Sequence, residues 1–268
     1  MDNFALNTYN YFDTVKMRNR LCNDYPFLKS RCIGRSVMGK DIYAFTVDSA
    51  KEYSLFIGGI HGCDNFTSIL LYTFIEELCK AIKDDGSIEG LRVRRALDGR
   101  AVAVIPCLNP DGCEIASKGK GGCGNIHDYV FKLVNGQYKA FAFNARGSDL
   151  DLKFNEKNVY SEPETSAAAN FISSVSVRHA ILLEAGRNEI IKPCNDNSLR
   201  TSRMSEILVA STGYCIPSDE IQPHTDGFLN WFYTLYNKPA FKILPHTPHN
   251  TAELYKALRE AIMLSAIM

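Results

Sequence analysis

The stretch Phe56-Ile57-Gly58-Gly59-Ile60-His61-Gly62-Cys63-Asp64 constrains this chain most. A short apolar run closed by glycine predicts a buried strand, and the polar pair follows where that strand must leave its sheet. In open α/β sheets ligands bind beyond the strand ends. A His and a carboxylate three residues apart on a tight turn can both reach one cation, because imidazole and carboxylate are both zinc ligands. The same two side chains can instead satisfy each other by hydrogen bonding. The turn therefore nominates His61 and Asp64 and leaves both arrangements open.

The remaining pattern predicts what surrounds that turn. Apolar spacing predicts a helix over 9–24, stopped before Pro26, and two β-rich runs within 31–47 predict a hairpin around Met38-Gly39-Lys40. The segment from Gly34 to Asp41 nearly matches a phosphate-binding loop. Asp41 stands where Ser or Thr should hold magnesium, and no helix follows Lys40, so the segment reads as a turn. Further helices are expected over 68–83, after Ser161 as N-cap, over 199–212, around Trp231 and from Thr251. Buried strands are expected over 101–107, 177–183 and 240–244, and the four glycines of 118–124 suggest a flexible loop. Strands alternating with helices indicate an α/β sandwich around a parallel or mixed sheet. With no repeat, linker or low-complexity segment, residues 1–268 read as a single domain.

Composition removes several functions. Thirty basic and thirty acidic residues cancel, which argues against nucleic acid or an anionic membrane as partner. No apolar run approaches the roughly 20 residues that span a bilayer, and the N-terminus lacks the basic and apolar regions of a signal peptide. The nine cysteines are odd in number and form no Cys-x-x-Cys. That pattern predicts free thiols and a cytoplasmic protein.

Several segments, in this order, resemble the zinc carboxypeptidases, the carboxypeptidase A-like metallopeptidases, and most of all the bacterial branch that trims cell-wall peptides. They are Ile33-Gly34-Arg35-Ser36 with Gly39-Lys40, the turn from Gly58 to Asp64, Asn109-Pro110-Asp111-Gly112, and Asn144-Ala145-Arg146-Gly147-Ser148-Asp149-Leu150. Ser161-Glu162-Pro163-Glu164-Thr165 and Thr212-Gly213-Tyr214 complete the set. The resemblance covers residues 30 to 250. It implies a single-domain α/β/α sandwich around a mixed, twisted sheet of about eight strands. It further implies a peptide or peptide-like ligand at the strand ends and a zinc ion or another divalent metal.

The chain departs from that family at the residues that perform its chemistry. The resemblance implies metal ligands at His61, at Asp64 in place of Glu, and at Glu184 in place of a second His. The carboxylate-binding region holds Asn144, Asp151 and Leu152, so that Leu152 replaces the arginine that grips a C-terminal carboxylate. Leu244 stands at the position of the catalytic Glu. Losing a general acid–base group costs roughly 10²–10⁴ in rate, and leucine cannot make a bidentate carboxylate contact. One His with two carboxylates remains a legal ligand set, shifted toward harder ions such as manganese; the alternative is a hydrogen-bonded cluster without metal. Cys63 is a candidate nucleophile or an incidental thiol, and His246 and His249 are candidate bases or exposed loop residues. Glu189 and Asp226 have no assigned place. Two functions follow: a non-catalytic or severely impaired peptide-binding relative, or an active metal-dependent peptidase or amidohydrolase with a rebuilt site at His61, Asp64 and Glu184.

Overall fold

The computed structural model describes residues 9–47, 50–186, 189–217 and 227–268. Asn10 closes a capping box with Asp13 and starts α1 (Tyr11–Asp24). Then come β1 (Lys29–Arg35), β2 (Asp41–Val47), β3 (Tyr53–Ile57) and α2 (Asn65–Lys83). A short hairpin, β4 (Ser87–Ile88) and β5 (Leu91–Arg92), leads to α3 (Val93–Ala96), β6 (Ala101–Ile105), α4 (Pro110–Lys118) and α5 (His127–Val134). The second half carries α6 (Leu150–Lys153), α7 (Pro163–Ser174), β7 (Val177–Leu183), β8 (Ile190–Pro193) and α8 (Leu199–Thr212). It ends with α9 (Gly227–Tyr236), β9 (Ala240–Leu244) and α10 (Thr251–Ile267).

Among the described residues one sheet has seven strands in the order β1-β2-β6-β3-β7-β9-β8. That is one strand fewer than the resemblance implies; β4 and β5 pair only with each other. Strands β6, β3, β7 and β9 run parallel, while β1, β2 and β8 add antiparallel edges. Parallel strands are covered on both faces, and alternation along them splits the core in two. Phe56, Val104, Ile181 and Phe241 face α1, α2, α8 and α10. Leu55, Ile105, Leu182 and Ala240 face α6, α7 and α9. The chain leaves β3 toward β6 on one side and leaves β7 toward β8 on the other. A crevice therefore opens between the ends of β3 and β7.

Local physics moves several expected boundaries. Helix α2 starts three residues early because Gly62–Asp64 forms a tight helical turn that feeds straight into it. The Asn109-Pro110-Asp111-Gly112 segment is a helix start: Asn109 accepts from the Gly112 N–H, and Pro110 fills the first position, where a missing N–H costs nothing. Glu162, not Ser161, stands before α7, and its carboxylate is engaged by Asn144 and Ser148 instead of capping the helix. The glycines after α4 are no loose loop. Gly119–Gly122 continues as a helical turn, and Gly122 packs against the Glu114 carbonyl with no room for a Cβ.

Candidate functional site

The His61 turn is held by backbone and neutral side chains. Leu108 and Asn109 donate their N–H groups to the Gly58 and Gly59 carbonyls, and the Gly62 N–H donates to Ala142 O. The Asn109 amide donates to Ile60 O and Phe143 O, each at 3.1 Å. Thr67 Oγ1 accepts from the Gly59 N–H and donates to Asp64 O, which ties the first turn of α2 back to β3. A Cβ on Gly62 would stand 2.5 Å from both Gly112 O and Phe141 O, so the turn is interlocked with two other segments.

This backbone brings the two nominated residues and Glu184 together. His61 Nδ1 lies 3.4 Å from Asp64 Oδ2 and 3.3 Å from Glu184 Oε1, and its Nε2 lies 3.4 Å from Asp149 Oδ1. Burial works against a charged imidazole, but the carboxylates of Asp149, Asp64 and Glu184 outweigh it and lift the His61 pKa to about 11. Burial also works against a charged Asp149; the bond and charge of His61 outweigh it and hold that carboxyl below its ordinary value. Asp149 has a second task as N-cap of α6, accepting from the Asp151 and Leu152 N–H groups. Asp64 Oδ2 accepts the Ala185 N–H at 3.0 Å.

Sequence reading missed the other cation. Lys242 is 4% exposed, and its ammonium donates to Asp151 Oδ2 at 2.8 Å. It also stands 3.0 Å from Glu184 Oε2, at ion-pair distance though outside ideal hydrogen-bond geometry. Burial opposes its charge, yet Asp151 and Glu184 raise the lysine pKa above its ordinary value. Burial raises the Glu184 carboxyl, opposed by Lys242 and His61. The signal was in the strand: Ala240-Phe241-Lys242-Ile243-Leu244 is apolar except for one lysine. A charge on a buried strand is costly unless a partner waits for it.

The three residues at which the resemblance implies carboxylate binding divide. Asn144 is fully buried; its amide donates to Glu162 at 2.8 Å and Glu164 at 3.1 Å, and its oxygen accepts from the Arg146 and Ser148 N–H groups. It faces a structural network, not the crevice. Asp151 is buried against Lys242 and the Phe228 N–H. Leu152 is 52% exposed. Of the remaining candidates, Cys63 bonds to Asp64 at 3.4 Å, and burial and that carboxylate push its thiol up to about 12, which suppresses the thiolate a nucleophile needs. His246, His249 and Glu189 are exposed, Leu244 is half-buried, and Asp226 lies outside the described residues.

A parallel-centred α/β sheet with a His-x-x-acid turn at the crevice of its strand ends is the architecture of a metallocarboxypeptidase. Residues 15–216 match the zinc carboxypeptidase family, and the chain belongs to that family. It is 28% identical to human carboxypeptidase D over 218 residues, 77% of this chain and 14% of that protein. It is 23% identical to the gamma-D-glutamyl-L-diamino acid endopeptidase 1 of Lysinibacillus sphaericus over 56% of this chain and 38% of that one. It thus spans well under half the length of both. Bovine thrombin-activatable fibrinolysis inhibitor, solved with tick carboxypeptidase inhibitor, superposes with a TM-score of 0.71 at 14% identity, over 97% of this chain and 96% of the other. Murein-tripeptide amidase MpaA of Escherichia coli O157 gives 0.58 at 18% identity, over 88% and 91%.

The family's zinc asks for three donors converging on one point. Among the described residues no three His, Cys, Asp or Glu side chains are disposed to hold an ion together. A single nitrogen, His61 Nδ1, faces both Asp64 and Glu184, while Asp64 Oδ2 is also engaged by the Ala185 N–H and Glu184 Oε2 by Lys242. With Lys242 drawing on Glu184 Oε2, the residues as arranged do not fit a zinc centre.

Proposed function

We propose that this chain is a single-domain, non-catalytic or severely impaired member of the zinc carboxypeptidase family that binds a peptide or peptide-like ligand. The observation that carries this reading is the floor of the substrate region. Leu152, at the position where the resemblance implies a cation that grips a C-terminal carboxylate, is an exposed leucine, and the neighbouring Asp151 is already neutralised by Lys242. A substrate carboxylate arriving there meets no guanidinium. Leu244 offers no proton acceptor on the strand that would supply the general base. The parent activities, peptide and γ-glutamyl bond hydrolysis, belong to the relatives that are named for them. A reducing cytoplasm suits the cysteines, all nine of which are free thiols, and no described helix is long and apolar enough to cross a membrane.

The test is incubation with free-C-terminus peptides and γ-D-glutamyl cell-wall peptides, with and without added zinc or manganese, followed by mass spectrometry. The expected result is no cleavage above buffer. Metal-dependent turnover that His61→Ala abolishes would overturn the reading in favour of an active hydrolase with a rebuilt site at His61, Asp64 and Glu184.

A further inference from the structure

Lys242 lies on the face of β9 that looks toward α6 and α9, in register with Leu182 two residues before Glu184. Its stem fills a core position, and its ammonium emerges between Asp151 on α6 and Glu184 beyond β7. Each of these carboxylates comes from a different element, so the lysine ties the sheet to α6 at the floor of the crevice. Asp151 is itself seated by α9: Phe228 donates its N–H to Oδ1, and Gly227 passes so close to the Asp151 carbonyl that no Cβ fits. A fixed carboxylate is thus held against a fixed ammonium.

We infer that Lys242 is the resident cation of this site: its covalently attached ammonium balances the carboxylates, and the wild-type chain takes up no divalent ion at His61, Asp64 and Glu184. A divalent ion bridging His61 Nδ1, Asp64 and Glu184 Oε1 would have to share Glu184 with an ammonium 3.0 Å from its other oxygen. Two like-signed cations on one buried carboxylate repel strongly, because little water separates them. Tethering also makes the balance permanent. An ion can leave or be chelated, whereas a lysine on the strand keeps the crevice formed without one. The inference deepens the non-catalytic reading, but it stands on metal stoichiometry and not on hydrolysis.

Zinc content and affinity are measured on untagged protein by elemental analysis and by competition with a chromophoric chelator. The wild type is expected to hold well under one equivalent. Lys242→Met removes the competing cation and, from the like-charge repulsion it relieves, is expected to raise zinc affinity about hundredfold or more, and adding His61→Ala to that variant abolishes the gain. Because Lys242→Met takes the ammonium away from both Asp151 and Glu184, Lys242→Met with Asp151→Asn is the second variant; it sheds one of those charges and is expected to show the same gain. A wild type that binds one equivalent in a His61-dependent manner would overturn the inference. So would either variant, folded by circular dichroism, that binds no more zinc than the wild type. Hydrolysis by a metal-free wild type would instead sink the non-catalytic reading and leave this inference standing.

Discussion

The wall of the crevice and its floor have had opposite fates. The wall is built in part from motif residues the family resemblance rests on, and several of them do structural work here. Asp111, with no exposed surface, accepts from the Met38 N–H at 2.7 Å and from Lys40 at 2.8 Å, which pins the β1–β2 turn to α4. Glu164 accepts from the Val37 N–H and from Asn144, joining the same turn to α7. Asn109 closes the ring onto the His61 turn. The floor holds Asp64, Asp151, Leu152, Glu184 and Leu244, at positions where the resemblance implies the family's chemistry, joined by Lys242. The contrast separates what a fold requires from what a reaction requires: an unpaired buried polar group destabilises the protein whether or not it catalyses anything, but a lost base costs only rate.

The contrast can be broken or sharpened at specific positions. The largest effect is expected in the wall. Asp111→Ala strands a largely buried lysine and an N–H, and should cost about 3–5 kcal/mol in a urea titration. A loss under about 1 kcal/mol would mean the wall is as dispensable as the floor.

Glu164 gives a smaller, pH-dependent effect. Burial raises its carboxyl above the ordinary value in the folded state, so the stability it contributes is full at low pH and is lost as pH rises through the folded value. Relative to wild type, Glu164→Gln should therefore gain stability as the pH is raised from about 4 to about 8 in urea titrations run at each pH. A difference independent of pH would contradict the assignment.

The smallest change in stability is expected at the floor's edge. Leu152→Arg should move the unfolding free energy by less than about 0.5 kcal/mol, because the side chain is half in solvent. The same change should strengthen binding of a free-C-terminus peptide about tenfold over its amide. Equal affinities in calorimetry would show that the subsite is not a carboxylate site at all.

How much of this was legible depends on what decides each residue's role. The strands at 101–105, 177–183 and 240–244 were readable because burial on both faces leaves unbroken apolar runs. His61 and Asp64 could be nominated together because they share one turn, whereas Glu184 was implied only by the family resemblance. Lys242 was not readable, because its value depends on partners 91 and 58 residues away along the chain, Asp151 and Glu184, that only the fold brings together. Asn144 had the reverse problem: its motif position suggests a ligand contact, while its actual neighbours, Glu162 and Glu164, turn it inward. Helix starts slipped by one to three residues at Asn65 and Pro163, where a tight turn or a carboxylate engaged elsewhere overrode the local signal.

Gly62 has a wider implication. Its backbone is wedged between the carbonyls of Gly112 and Phe141, and neither contact involves a charged group. The path of the turn is thus inherited independently of whatever the turn once held. Side chains of the crevice can therefore be exchanged in the laboratory on a turn whose path Gly62 and its two backbone neighbours set.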